Sequence, residues 1–305
     1  MNRVLGIKDG SEDGPLVVLV GGLHGNEHTG VHAIINVFRT IEERNLDFKG
    51  RLVGLTGNVR AYDLGRRYLD YDLNRCWNGD LIKELKEQHD PERAKAEDLE
   101  LLELLHELEL HSETTHRPKV LVDLHATSSD NGNFIVIPRD EADNPIVVSL
   151  RLPIVIDLEK YLAGTLLEYM HHKGFVAFAF EGGLIGSDKA LSLHTSGIWE
   201  LLYAAGVMER QNHHEFAKYQ QIVETFIHNL PHKVTVLYHH KVTQGDGFRM
   251  KAGYQNFQSV QKGEIVAEDH AGNIIAKDNG LIFMPLYQPL GDDGFFIVEE
   301  IEPHI

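Results

Sequence analysis

The feature that most constrains this chain is a short apolar run closed by glycines, Pro15 to Val20 followed by Gly21-Gly22. An unbroken apolar run of that length, bounded on both sides, reads as a strand buried on both faces. A polar turn follows it, and Thr29 to Arg39 then reads as a helix. The same alternation recurs downstream. Strands are predicted at Leu52–Thr56, Lys119–Leu124, Phe134–Ile137, Ile154–Asp157 and Phe175–Phe180, and helices at Ala94–Leu110, Tyr161–Lys173, His194–Ala205 and His214–His228. The helix Ala94–Leu110, rich in Leu and Glu, reads as core packing with a solvated acidic face. Buried strands alternating with helices imply an α/β sheet with helices on both faces.

After Pro231 the pattern changes. Lys233–Tyr238, Gly263–Ala267, Gly272–Ala276, Gly280–Phe283 and Gly294–Glu299 are short strand-like runs between Gly, Asp and Asn turns, with no helical period. The expectation is therefore a catalytic domain over residues 1–231 and a small all-β domain over 232–305.

Composition restricts the partners. The 305 residues carry 46 acidic groups against 29 Lys plus Arg, a formal net charge of −17. Such a surface repels phosphate backbones and anionic lipid, which counts against nucleic acid and membrane. A pocket with a few arginines can still take a small anion. The single cysteine, Cys76, allows no intrachain disulfide and fits a reducing compartment. The stretch Met1 to Gly14 has no apolar signal core, and no apolar run approaches the roughly 20 residues of a membrane span. A cytoplasmic location is expected. The oligomeric state is not legible.

The densest chemistry lies in Gly21-Gly22-Leu23-His24-Gly25-Asn26-Glu27-His28-Thr29-Gly30, at the carboxyl end of the first buried strand, where α/β proteins build their sites. His24 and Glu27, three residues apart in a glycine turn, can reach one metal ion. His125, in Val122-Asp123-Leu124-His125-Ala126-Thr127, ends a second buried strand. Two imidazoles and a carboxylate with a fourth position open is the pattern of catalytic zinc. A single His after a strand is ordinarily a satisfied polar residue; two such strand ends, one bearing His-x-x-Glu, favour the metal. His24 to His28 also fits H-x-x-E-H, but that geometry needs a regular helix, and Gly25 inside the motif favours a turn. His28 is then expected to start the helix. Asp123 shares a strand face with His125 and can accept a hydrogen bond from a ligand imidazole, His24 being the expected partner. Asp72 is placed to orient nearby arginines.

Four motifs in order, Gly21 to Glu27, Arg67-Tyr68-Leu69-Asp70-Tyr71-Asp72-Leu73-Asn74-Arg75, Asp123-Leu124-His125 and Phe180-Glu181-Gly182-Gly183, resemble the succinylglutamate desuccinylase/aspartoacylase family of the zinc carboxypeptidase-like superfamily. The resemblance covers about residues 15–185. It implies a mixed α/β sheet of the zinc carboxypeptidase type and one zinc ion held by His24, Glu27 and His125. It further implies Glu181 as the group that activates the zinc-bound water, Arg67 as the donor to the oxyanion, and Asn74 with Arg75 as the grip on a substrate carboxylate. Tyr287 is the candidate for a family tyrosine that reaches the site from the C-terminal part. The implied reaction is hydrolysis of the amide bond of a small anionic N-acyl amino acid. A zinc carboxypeptidase or another ester or amide hydrolase on the same centre is the alternative, and a non-catalytic metal- or ligand-binding protein is a further one.

The chain departs from the family in Tyr169-Met170-His171-His172-Lys173-Gly174, which lacks the arginine aspartoacylases carry before the catalytic glutamate. Lys173 or His171 is left to take its place. The C-terminal strands are similar to barrel-sandwich domains of the biotinyl/lipoyl type. They lack a modification turn, Met250-Lys251-Ala252 preceding the repeating strands, so a covering or gating role is expected.

Overall fold

The computed structural model describes residues 1–87, 94–113, 116–127, 133–209, 214–227, 230–243, 245–287 and 291–301. His228, named above, lies outside the described residues. An edge strand β1 (Val4–Asp9) precedes β2 (Ser11–Gly21), α1 (His28–Arg44), β3 (Lys49–Thr56), a short α2 (Val59–Asp63), α3 (Gly79–Glu87) and α4 (Ala96–Ser112). Then come β4 (Lys119–Thr127), β5 (Asn133–Val136), α5 (Pro145–Val148), β6 (Ile154–Ile156), α6 (Leu166–His172), β7 (Val176–Leu184), α7 (Asp188–Ala204) and α8 (His214–Phe226). The remaining elements are strands: β8 (Lys233–Lys241), β9 (Arg249–Met250), β10 (Gln258–Val260), β11 (Ile265–Asp269), β12 (Gly272–Ile275), β13 (Gly280–Phe283) and β14 (Asp293–Glu300).

The main sheet runs β1-β3-β2-β4-β7-β5-β6-β8-β14-β13-β10 and is mixed. At its centre β3, β2, β4 and β7 are parallel neighbours. Leu16–Val20 and Val120–Leu124 are buried throughout, as parallel strands covered on both faces must be. The chain moves outward in opposite directions from β2, to β3 on one side and β4 on the other, which opens a crevice at their carboxyl ends. Helix α1 packs on α7 and α7 on α8, while α4 packs on α3 and β3. No helix among the described residues is long and apolar enough to cross a membrane.

The expected C-terminal β unit is met only in part. A separate sheet, β12-β11-β9, has its own small core around Val266, Ala267 and Ile282. The other strands extend the main sheet instead: β8 pairs in parallel with β6, and β14, β13 and β10 follow. The physical reason is the edge of β6, whose unpaired amides and carbonyls are satisfied by β8. Phe283 and Phe296 accordingly join the main core, with Phe283 4.7 Å from Phe134 between ring centroids.

The reading of α4 as having a solvated acidic face also needs correction. Glu97 and Glu100 are fully buried. Glu100 accepts the Val59 and Arg60 amides at 2.8 and 3.0 Å, capping α2, and pairs with Arg3 and Arg60.

Because β14 is built into the main core, Phe296→Ala should remove about 3–5 kcal/mol of stability. The whole urea transition, followed by far-UV circular dichroism, should move to lower denaturant. Early loss of only a minor part of the signal would instead mean that the C-terminal strands unfold by themselves.

Candidate functional site

Glycine shapes the turn after β2. Gly22 has φ +69°, and a Cβ on Gly25 would lie 2.3 Å from the backbone of Ala61 and Tyr62. The Gly25 amide donates to the Arg67 carbonyl at 3.0 Å, which ties this turn to the segment carrying the arginines. Glu27 stands at the N-cap of α1 yet makes no side-chain cap, because its carboxylate points across to β4.

That carboxylate is the hub. One oxygen lies 2.8 Å from His24 Nδ1; the other lies 3.0 Å from His125 Nδ1 and accepts the Ala126 amide at 2.9 Å. His24, Glu27 and His125 are all buried, and one ligand atom from each falls within 4.8 Å of the others. The far nitrogens are engaged too. His125 Nε2 is 2.6 Å from Asp123 and His24 Nε2 is 3.2 Å from Asp72. The expectation for Asp123 is thus corrected: strand alternation puts it beneath its own neighbour His125, while Asp72 serves His24. Asp72 also accepts from Arg67 at 3.1 Å and from the Asn74 amide at 2.8 Å.

Burial opposes the charge on Glu27, but His24 and His125 outweigh it and hold the carboxyl far below the ordinary range. Burial likewise opposes protonation of His125, and Asp123 and Glu27 reverse that effect. Asp72 stays ionised against its burial through His24 and Arg67.

Glu181 faces His125 in the parallel register of β4 and β7. Its Oε2 is buried without a hydrogen bond. Burial, reinforced by the charge of Glu27 and opposed by the two histidines, raises its pKa to about 7. Behind it, His194 of α7 contacts the Phe180 carbonyl at 3.1 Å, and burial lowers its pKa to about 4. Sequence reasoning missed His194, which carries no motif.

Arg67 and Arg75 both line the cavity, which measures about 150 Å³. Arg67 lies 3.5 Å from Glu27 as well as beside Asp72. Arg75 donates to Asp293 of β14 at 3.1 Å. Asn74 Oδ1 accepts the Leu166 amide at 3.0 Å, leaving its NH2 group as the donor it can offer a ligand. Their segment is clamped by Glu97, which accepts the amides of Leu69, Asp70 and Tyr71 at 2.8, 2.8 and 3.3 Å.

Not every expected residue is brought to the cavity. Tyr287 does not line it; its exposed side chain donates to the Lys251 and Tyr254 carbonyls. His171 pairs with Asp140, and the Lys173 ammonium sits over the Tyr169 ring; neither lines the cavity. His28 begins α1 and packs on Tyr62, apart from the His24 cluster. Asp293 and Asn256 do line the cavity, and no local pattern could have announced residues so distant in sequence.

A family model described as succinylglutamate desuccinylase/aspartoacylase catalytic domain matches residues 13–183. A protein of Acaryochloris marina named probable aspartoacylase is 33% identical over 131 residues, 42% of this chain and 40% of that protein. The match thus spans about two fifths of that relative's length. A solved succinylglutamate desuccinylase of Vibrio parahaemolyticus superposes with a TM-score of 0.68 at 17% identity, covering 95% of this chain and 83% of that one. The product-bound ectoine utilization protein EutE of Ruegeria pomeroyi gives 0.66 at 18% identity, covering 96% and 87%. At such identities the structural likeness concerns the fold.

Replacing Glu97 by Gln should destabilise the protein by about 1.5–3 kcal/mol in urea unfolding, since amides now bound to a charged acceptor lose it. An unchanged midpoint would remove the clamp from the account of the site.

Proposed function

The chain belongs to the succinylglutamate desuccinylase/aspartoacylase family, and on that premise we propose that it is a zinc-dependent hydrolase of N-acyl amino acids. The observation that carries this reading is the apposition of Glu181 to the buried His24–Glu27–His125 group on neighbouring parallel strands.

The donor set fits zinc. Two imidazole Nδ1 atoms and a carboxylate oxygen would hold the ion, and the opposite ring nitrogens already rest on carboxylates, which fixes the tautomers. A bound zinc ion would supply Lewis-acid polarisation of a carbonyl and acidify water.

The chain's own groups account for the remaining work. Glu181, with a pKa near 7, is suited to take a proton from the attacking water and to return it to the amide nitrogen. The water oxygen bonds to the carbonyl carbon, the carbon–nitrogen bond breaks, and a carboxylic acid and an amine leave. Arg67, oriented by Asp72, donates to the carbonyl oxygen as negative charge builds there. Arg75 and the NH2 group of Asn74 hold the substrate carboxylate and so align the amide.

Two expected outcomes test this. Purified protein should carry about one zinc per chain by metal analysis, and Asp123→Asn should weaken zinc affinity by about 10–100-fold in a competition titration. Unchanged affinity would remove Asp123 from the reading. Glu181→Ala should retain the metal and lose at least about 10²-fold in kcat, measured by amine release from N-acyl amino acids alongside short peptides. Retained turnover would overturn the mechanism, and a preference for peptides would move the protein to the carboxypeptidases.

A further inference from the structure

The cavity lining is of two kinds. Part of it is the polar groups already described. The rest is apolar and includes Val136, Leu158, Leu162, Leu167, Ala179 and Leu286. Val136 pairs with Ala179 across β5 and β7, and Ala179 lies two residues before Glu181 on the same strand face. The apolar residues Val136 and Ala179 therefore adjoin the expected proton-transfer group.

Cations that could hold an acidic substrate are few. Among the described residues, the lysines and arginines lining the cavity are Arg67 and Arg75. In the sequence, residues 128–132 and 288–290 include no Lys or Arg. Both arginines already face carboxylates, Arg67 those of Asp72 and Glu27, Arg75 that of Asp293.

Asp293 is firmly held. Its second oxygen is 2.8 Å from His239 Nε2 on β8, and the His239 side chain is only 3% exposed. Although burial opposes it, His239 and Arg75 keep Asp293 ionised. A negative charge thus stands beside the guanidinium expected to receive the substrate. What remains on the Arg75 edge, with Asn74, suits one carboxylate. A second would meet Asp293 with no further Lys or Arg among the described lining residues to compensate, and it would have to desolvate against aliphatic side chains.

Resting on the deacylase reading above, we infer that this pocket selects N-acyl amino acids with one carboxylate and an apolar variable group, and that Asp293 is the residue that turns a second carboxylate away. The determinant lies on β14, outside the matched residues 13–183, and relatives named for aspartate or succinylglutamate need not share it.

The test compares kcat/KM of the zinc-loaded enzyme on N-acetyl-L-leucine, N-acetyl-L-methionine, N-acetyl-L-aspartate and N-succinyl-L-glutamate, with calorimetric Kd values for L-leucine and L-aspartate. The apolar substrates should lead by at least tenfold, about 1.4 kcal/mol, and leucine should bind more tightly than aspartate. Asp293→Asn should reduce that lead about tenfold, chiefly through a lower KM for N-acetyl-L-aspartate. Its melting temperature shows whether the variant is folded, and the wild-type ratio decides the matter if it is not. A wild-type preference for N-acetyl-L-aspartate or N-succinyl-L-glutamate would overturn the inference and leave the deacylase reading standing. An unchanged ratio in folded Asp293→Asn would overturn the part given to Asp293. Absence of turnover on every N-acyl amino acid would overturn the deacylase reading and this inference with it.

Discussion

The carboxylate of Glu27 is buried between the imidazoles of His24 and His125, and much of the site follows from making that burial tolerable. An isolated ionised carboxyl in such a place would cost several kcal/mol, so it must be paired and hydrogen-bonded. The imidazoles supply the pairing, the Ala126 amide supplies a donor, and each imidazole leans on a further carboxylate. Arg67 then balances Asp72 and Glu27 together. The result is a chain of hydrogen-bonded groups in which removing one member leaves its neighbours buried and unmatched. Two imidazoles and a carboxylate so arranged form a buried group that could hold a metal ion.

The central parallel strands make this arrangement possible. β2, β4 and β7 end side by side, so three stretches far apart in sequence deliver His24, His125 and Glu181 to one crevice. Their apolar bodies take no part in the chemistry, but they fix the register in which His125 faces Glu181. The arginine segment is added from the side and owes its position to α4, whose buried Glu97 replaces water for three backbone amides. A helix whose acidic face reads from sequence as solvated thereby becomes, through Glu97, the support for residues proposed to bind substrate.

The division between legible and hidden features has a physical cause. Strand cores, the glycine turn and the strand-end His and Glu residues are local signals, and the structure brings those residues together. Pairings between elements are not local. Which imidazole Asp123 serves depends on side-chain direction along β4, and the reach of Asp72 to His24 depends on a loop path that no periodicity encodes. β1 was missed because its six residues include Gly6, Lys8 and Asp9 and it lies at an edge, and β10 because three residues carry too little pattern. The C-terminal strands read correctly as strands, but nothing in them announces that β8 joins β6. Asp293 is the same problem in its sharpest form, since its meaning comes entirely from Arg75, His239 and the cavity around them.

The continuity of the main sheet across β6 and β8 also bears on how such a protein can diverge. The groups proposed for bond cleavage lie on the early strands and their loops, whereas part of the cavity wall lies on late ones, joined by backbone hydrogen bonds through the same sheet. Substitutions on the late strands can therefore redraw the cavity while the buried charges around Glu27 keep their partners. Over evolutionary time, a lineage built this way is free to reshape what its cavity admits while inheriting the buried cluster unchanged.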